Sequence, residues 1–272
     1  MHVVFPRRRN ATSLQRCALA ALAAFTLVMA GTSLAAQEPA QEPAQEAAPA
    51  VDACKTVGQP AGRPGRVRPP ADWAWLCRYR ADNERLRSAG VRPKGVFIGS
   101  SIIQGWPAAD PDFFARGRVG RGIAGQASAQ ILLRFQQDAI ALQPRYIHVL
   151  TGTNDIAGND GALDLKSLAG NVQMMIALAK QHDIKLFVGS ILPADRIYWR
   201  EQANVAARIQ AANELLKGLV TREGAEFIDY TPALATDGGA MRPEFTVDGV
   251  HPNAAGYAAM KRVAAQHLPD MR

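Results

Sequence analysis

The segment Gly95-Val96-Phe97-Ile98-Gly99-Ser100-Ser101 is a short apolar run that ends at two serines. Similar runs occupy residues 146–150, 184–192 and 225–230, and a further short one lies near Val119. Amphipathic segments separate these runs, at residues 127–142, 163–182, 205–223 and 253–267. Continuous apolar strands that alternate with helices predict a parallel sheet covered on both faces. The expected fold is of the α/β class, a three-layer αβα sandwich around a central parallel sheet of about five strands.

Residues 72–86 favour one more helix, with Asp72 as its N-cap, and the folded domain is expected to span residues 72–272. Active groups in folds of this kind gather at the carboxyl ends of the strands. Three segments with polar or reactive side chains fall at such ends or in the last long loop. They form the candidate site.

The first of these segments contains Ser101, directly after the run 95–99. A serine at a strand-to-helix turn has an exposed hydroxyl, and its backbone N–H lies at the helix N-terminus, where a developing anion is stabilised. The same residue could serve as a plain helix N-cap. Ser100 beside it is the alternative nucleophile.

The second segment is Gly152-Thr153-Asn154-Asp155, after the run 146–150. The side-chain amide of Asn154 can donate a hydrogen bond to a tetrahedral oxyanion. These residue types also stabilise tight turns, which is the structural alternative. A loop at residues 121–126 adds Gly125, where the lack of a side chain lets a backbone N–H approach a substrate.

The third segment is Asp248-Gly249-Val250-His251. Of the five histidines, His251 is the candidate, because Asp248 lies at a spacing that permits a hydrogen bond across one turn. A carboxylate that holds a histidine in one tautomer makes it a general base. The pair could instead bind a metal, but no third ligand lies nearby in the sequence, and the cysteines lack zinc-type spacing.

Together these residues resemble the four sequence blocks of the SGNH hydrolases, also called GDSL esterases and lipases, over about residues 96–267. The resemblance implies a nucleophile at Ser101, a base at His251 and an orienting carboxylate at Asp248. It implies an oxyanion hole formed by the backbone N–H groups of Ser101 and Gly125 and the side-chain amide of Asn154. The implied fold is the flavodoxin-like three-layer sandwich, and the implied chemistry is ester hydrolysis through an acyl-enzyme, without metal or organic cofactor.

The chain departs from the family at Ser100, where members usually have aspartate. That aspartate helps to hold the surrounding loops, so its replacement could loosen the site or change specificity. No position of the triad or oxyanion hole is missing, and we expect activity to be retained.

Members similar to this chain include acetyl esterases that act on carbohydrates, lysophospholipases and thioesterases. Trp106 and the segment 193–199, with Tyr198 and Trp199, are expected to overhang the site and contact a substrate such as a sugar, or else to pack as a lid. The chain has no long apolar insertion for an acyl-chain groove, which favours short acyl groups such as acetyl, on a small-molecule or glycan ester.

The net charge of +7 does not indicate a nucleic-acid partner. Residues 1–36 contain four arginines and no acidic residue, and the remainder has 27 basic against 24 acidic residues. This excess of three basic residues is unremarkable, so composition gives no support to nucleic-acid binding.

Residues 1–36 are interpreted as a secretory signal peptide: a basic start, an apolar stretch from Cys17 to Ala30, and small residues for cleavage after Ala35 or Ala36. The alternative is an uncleaved membrane anchor. Cleavage would leave an exported protein, periplasmic or secreted, without a stable membrane anchor. Residues 37–71, rich in Gln, Glu, Pro and Ala and then in Pro and Gly, are expected to form a disordered linker.

Cleavage would leave two cysteines, Cys54 and Cys77. An even number of cysteines in an exported chain predicts a disulfide, and two unpaired thiols are the alternative. The loop would contain about 24 residues, for which the chain-entropy account gives about 3 kcal/mol of stabilisation.

Two other classes remain open from the sequence. A protein with the same fold could bind a ligand without catalysis, and Ser100 is the feature that favours it. A phosphate- or nucleotide-binding α/β protein is disfavoured because no glycine-rich phosphate motif follows a strand.

Overall fold

The structure is a computed structural model that describes Cys54, residues 72–161 and residues 164–271. Its strands are β1 (Gly95–Gly99), β2 (Arg118–Gly122), β3 (Tyr146–Leu150), β4 (Lys185–Gly189) and β5 (Glu226–Ile228). Its helices include α1 (Arg80–Ser88), α2 (Ser101–Ala109), α3 (Pro111–Ala115), α4 (Ser128–Asp138), α5 (Thr153–Ile156), α6 (Leu165–Gln181), α7 (Val205–Arg222), α8 (Thr231–Leu234) and α9 (Ala254–Ala264). Short 3₁₀ turns lie at Ile140–Leu142 and Pro243–Phe245.

The five strands form one sheet in the order β2-β1-β3-β4-β5, and every neighbouring pair is parallel. This confirms the predicted α/β sandwich. Strands β1 and β3 have the predicted bounds, whereas β4 and β5 are shorter than the apolar runs that contain them. Strand β4 ends early because the backbone of Ile191 bonds in both directions to the side-chain amide of Asn213 instead of to a strand.

The strand order places a topological switch point between β1 and β3. From β1 the chain moves outward to β2 and then returns to β3 on the opposite side of β1. The loops that leave β1 and β3 therefore diverge and open a crevice at the carboxyl edge of the sheet. Ser101 follows β1 and Asn154 follows β3, so both residues lie at this crevice.

Each face of the sheet covers a separate apolar core, because successive side chains of a strand point to opposite faces. Val96 and Ile98 of β1 pack with residues of α4, α6 and α7. Phe97 of the same strand packs with residues of α2, α3 and α9. Burial on both faces explains why β1 is a continuous apolar run rather than an alternating one.

The predicted helix at residues 72–86 was wrong in its start, because α1 begins only at Arg80. Trp75 has a left-handed backbone (φ 57°), which interrupts a helix at this point. The side-chain amides of α4 and the loop before it also take backbone carbonyls that a helix would use. Those bonds join Gln126 to Ala74, Gln130 to Trp73 and Gln137 to Leu76.

The predicted signal peptide (1–36) and, except for Cys54, the predicted linker (37–71) lie outside the described residues. In the part of the chain that is described, no helix combines the length and apolar character needed to cross a membrane.

Candidate active site

Ser101 is the first residue of α2, immediately after β1 and the buried Ser100. Its Oγ lies 2.9 Å from Nε2 of His251, although 150 positions separate the two residues in the sequence. At the first turn of a helix the backbone N–H groups have no partner within the helix. The Ser101 N–H is thus placed where negative charge on a reacting atom would be stabilised.

His251 is held from the other side by Asp248. Nδ1 of the imidazole lies 2.8 Å from Oδ2 of Asp248, and the second carboxylate oxygen, Oδ1, accepts the backbone N–H groups of Val250 and His251. Thr246, which sequence reasoning missed, braces the turn: its Oγ1 accepts the Gly249 N–H and donates to the His251 carbonyl. The turn thus presents the imidazole in one orientation.

The electrostatics of Asp248 fit a carboxylate that stays charged. Partial burial alone would raise the pKa of Asp248, but hydrogen bonds from the backbone and ring of His251 and from the Val250 N–H outweigh it. The net result is a pKa below the ordinary aspartate value. An ionised Asp248 keeps the proton of His251 on Nδ1, which leaves Nε2 to accept the Ser101 proton.

The predicted oxyanion donors Gly125 and Asn154 lie on the segments that follow β2 and β3. Nδ2 of Asn154 donates one hydrogen to the carbonyl of Gln126 at 2.9 Å, which leaves its second hydrogen for a ligand. Gly125 directly precedes Gln126 and has a left-handed backbone (φ 80°), a conformation that is strained for residues with a side chain. The loop after β2 and the loop after β3 are therefore bonded to each other where the donors lie.

Two further contacts hold the loop after β2 against α2. Oε1 of Gln104 accepts the backbone N–H of Ala124 at 2.7 Å. At Gly122, a β-carbon would approach the backbone nitrogen of Gln104 to 2.0 Å, so only glycine permits this packing. Sequence reasoning missed both contacts because each depends on how a strand end packs on a helix.

A buried arginine lies beneath the nucleophile. Arg134 on α4 is fully buried and donates to the carbonyls of Gly99 and Arg121, each at 2.8 Å, and to Oε1 of Gln126. It also pairs with buried Asp138 at 3.2 Å. The guanidinium thus ties the ends of β1 and β2 together below Ser101. The sequence could have indicated this role, because Arg134 is a charged residue on the apolar face of α4 that contains Ile131 and Phe135.

The two predicted aromatic contacts on segment 193–199 lie beside the triad. The ring centroids of Trp199 and Tyr198 are 5.9 Å and 6.4 Å from that of His251. Tyr198 is 63% exposed, and Trp199 is half-buried. Burial and the neighbouring Asp248 carboxylate raise the pKa of the Tyr198 phenol, which agrees with its position next to the triad.

The prediction that Trp106 contacts the substrate was wrong. Its side chain is fully buried and packs against Phe97, Phe113 and Tyr257. Trp106 lies on the second turn of α2, where the helix has rotated toward the sheet and away from the crevice. It is a core residue.

His148 is fully buried on β3. One ring nitrogen contacts the Tyr230 hydroxyl at 2.8 Å, whereas Nδ1 has no protein partner. Burial lowers the pKa of His148 to about 3, so its ring is neutral at physiological pH. It therefore contributes packing and one hydrogen bond.

Asp155 supports the loop that presents Asn154. Its carboxylate accepts the backbone N–H and the hydroxyl of Ser128 at the start of α4, and Asn171 of α6 donates to the same hydroxyl. Burial raises the pKa of Asp155 to about 6. A charged Asp155 is thus costly in the folded protein at neutral pH.

We expect the variant Asp155→Asn to alter how stability depends on pH. Between about pH 4 and 6 the unfolded chain releases the Asp155 proton while the folded protein retains it. The free energy of unfolding of the wild type should therefore fall relative to that of the variant as pH rises through this window, by about 3 kcal/mol at most. Urea unfolding at several pH values measures the difference, and parallel profiles for the two proteins would contradict it.

Cys54 and Cys77 form a disulfide in the structure, with their Cα atoms 5.5 Å apart. The bond joins the segment before the domain to the turn that precedes α1. Among the described residues, no group of three or more His, Cys, Asp or Glu side chains could hold a metal ion.

For the disulfide we predict that thiol labelling of unfolded, unreduced protein, followed by peptide mapping, finds no free thiol at Cys54 or Cys77. Replacing both cysteines with serine should lower the free energy of unfolding by about 3 kcal/mol, because the unfolded chain loses a cross-link. Wild-type protein with reductant is the control and should match the double variant. Labelled Cys54 in unreduced protein would refute the pairing.

Fold and site together define a class: a parallel α/β sandwich with serine, histidine and aspartate in hydrogen-bonded series at its switch point, the arrangement of a serine hydrolase. A family model for the GDSL-like lipases and acylhydrolases matches residues 97–259. The chain belongs to this family.

Solved structures agree with this assignment. A GDSL-like lipase from Bacteroides thetaiotaomicron VPI-5482 is 35% identical, with a TM-score of 0.68, over 73% of this chain and 99% of that one. A Bacteroides fragilis NCTC 9343 protein assigned as an acylhydrolase is 37% identical, with a TM-score of 0.68, over 74% and 99%. An acetylxylan esterase from Geobacillus stearothermophilus shares the fold, at 17% identity and a TM-score of 0.53, over 65% and 94%. Among proteins with curated functions, none matches the sequence.

Proposed function

We propose that this protein is an exported serine esterase that hydrolyses short-chain esters, above all acetyl esters, through an acyl-enzyme on Ser101. The observation that carries the proposal is the unbroken series Ser101 Oγ, His251 Nε2, His251 Nδ1 and Asp248 Oδ2, with contacts of 2.9 Å and 2.8 Å. Such a series positions a base for the hydroxyl proton, whereas ligand binding alone would not need it.

The reaction proceeds in two halves. His251 Nε2 takes the Ser101 proton as Oγ bonds to the ester carbonyl carbon, and the carbonyl oxygen becomes an oxyanion. The backbone N–H groups of Ser101 and Gly125 and the Asn154 amide stabilise this oxyanion. Collapse breaks the bond to the alcohol, which leaves with the proton from His251. Water then attacks the acyl-enzyme in the same way and releases the acid.

The surroundings of the triad favour a small acyl group on a bulky polar alcohol. The side chains of His251 and Asp248 are 25% and 30% exposed, so the triad is near the surface of the domain. Tyr198 and Trp199 form an aromatic edge beside it, and such rings can pack against the apolar faces of a sugar. The fold shared with an acetylxylan esterase is compatible with a glycan ester.

The test is a substrate panel measured with wild-type protein and with Ser101→Ala as the blank. The panel contains p-nitrophenyl acetate, butyrate and octanoate, an acetylated xylooligosaccharide, a lysophospholipid and an acyl thioester. We expect kcat/KM to be highest for the acetyl esters. Preference for the lysophospholipid or thioester would replace the proposal with those family activities, and no activity above the blank would favour a ligand-binding protein.

Two variants, measured on the same substrate panel, test whether Tyr198 contacts the glycan. Tyr198→Ala should raise KM for the acetylated oligosaccharide and leave KM for p-nitrophenyl acetate unchanged. Leu133→Ala is the control, because Leu133 is similarly exposed (57%) but lies on α4. If both variants change KM for the oligosaccharide equally, Tyr198 does not contact the sugar.

Export is proposed from the signal-like residues 1–36 together with the Cys54–Cys77 disulfide, which is a bond of oxidising compartments. N-terminal sequencing of protein from a producing cell should show that the mature chain begins after Ala35 or Ala36. Recovery of the intact chain in the membrane fraction would instead support an uncleaved anchor.

A further inference from the structure

Asn159, which neither the motifs nor the triad includes, contacts two residues of the oxyanion hole at once. It lies just after α5, and its Nδ2 donates to Oδ1 of Asn154 at 2.8 Å and to the carbonyl of Gly125 at 3.1 Å. Its own backbone N–H bonds to the Asn154 carbonyl at 3.0 Å. One half-buried side chain thus joins the loop after β2 to the loop after β3, 34 positions apart in sequence.

These contacts determine which way the Asn154 amide faces. Its Oδ1 accepts from Asn159, and its Nδ2 donates to the Gln126 carbonyl. If the Asn154 amide were flipped, its NH2 group would face the NH2 group of Asn159, and its oxygen would face the carbonyl oxygen of Gln126. Both hydrogen bonds would then be lost. The pair therefore keeps the second Nδ2 hydrogen of Asn154 available for an oxyanion.

Asn159 is held in turn by Trp199. The indole Nε1 of Trp199 donates to Oδ1 of Asn159 at 3.1 Å, so both ends of the Asn159 amide are engaged. The ring of Trp199 lies 5.9 Å from the ring of His251. A hydrogen-bonded series thus connects Trp199, beside the base, to Asn154.

We propose that Asn159 is a positioning residue that keeps the Asn154 amide N–H directed at the oxyanion, and that Trp199 holds Asn159 in place. The inference rests on the proposed esterase function. Because Asn159 acts through Asn154, its loss lowers stabilisation of the transition state and leaves binding of the ground-state ester unchanged.

The experiment compares Asn159→Ala, Asn159→Asp and Trp199→Phe on p-nitrophenyl acetate. Asn159→Asp is nearly isosteric but cannot donate, and its carboxylate attracts the Asn154 amide hydrogens away from the oxyanion. We expect its kcat to fall about 10²- to 10³-fold, the effect of losing one oxyanion donor. Asn159→Ala should lower kcat about tenfold, because the Asn154 amide is then less firmly oriented. Trp199→Phe should lower kcat by less than that. KM should stay within about twofold of the wild-type value in all three.

A second readout separates positioning from a merely structural role. A trifluoromethyl ketone forms a tetrahedral adduct with the serine, so its inhibition constant should rise in step with the loss of kcat. Asn213→Ala is the matched control, since Asn213 is also a half-buried amide with two hydrogen bonds, to the Ile191 backbone. We expect it to lower Tm and to leave kcat unchanged.

The outcomes are distinct. Wild-type kcat in both Asn159 variants, or a larger loss in Asn159→Ala than in Asn159→Asp, would overturn the inference while the esterase proposal stands. A KM effect without a kcat effect would also overturn it. A wild type no more active than Ser101→Ala would overturn the esterase proposal, and this inference with it.

Discussion

Replacing His251 with alanine is expected to lower kcat about 10⁶-fold, and replacing Ser101 with alanine about as much. Without the imidazole, no group within hydrogen-bonding distance of Ser101 Oγ remains to take its proton; only His251 is bonded to it in the described residues. Because the two residues act as a unit, the double variant should be no less active than either single one.

This prediction is measured as kcat on the best ester of the panel. His182→Ala is the control for the loss of a histidine, because His182 is exposed at the end of α6. It should retain the wild-type rate. A loss of less than about 100-fold in His251→Ala would show that another group serves as the base.

Asp248→Asn is expected to lower kcat about 10⁴-fold while the protein stays folded. An asparagine can still accept the backbone N–H groups of Val250 and His251 through Oδ1, so the turn is kept. Its amide nitrogen then replaces Oδ2 beside His251 Nδ1. That favours the tautomer with the proton on Nε2, which cannot accept the proton of Ser101.

The control for this variant is Asp237→Asn, the same change of charge at an exposed position. It should leave kcat unchanged, and the Tm of Asp248→Asn should stay close to that of the wild type. An Asp248→Asn enzyme within tenfold of the wild-type kcat would mean that the carboxylate does not set the tautomer of His251.

Strands β1 and β3 could be predicted from the sequence because both are buried at every position. A strand covered on both faces is a mostly apolar run, so these two could be located to the residue. The element bounds that were predicted wrongly depend on hydrogen-bond partners far away in the sequence. The helix expected from Asp72 does not form there because glutamine side chains of α4 and of the loop before it bind the carbonyls of Trp73, Ala74 and Leu76.

The candidate site divides in the same way. The pairing of Asp248 with His251 could be expected because a three-residue spacing brings both into one turn. The environment of Trp106 could not, because whether the second turn of a helix faces a crevice or the sheet depends on how the helix packs. The roles of Arg134 and Asn159 could not be predicted for a related reason, because their hydrogen-bond partners lie in other segments of the chain.

The residues of this chain are therefore sufficient to indicate a parallel α/β domain and the nucleophile, base and acid that it would carry, because short-range patterns encode them. The distance between Ser101 and His251, the orientation of the Asn154 amide and the burial of Trp106 depended on packing between segments that are far apart in the chain. Side-chain periodicity is local, whereas the direction in which an amide or a ring points follows from the partners that the folded chain brings to it.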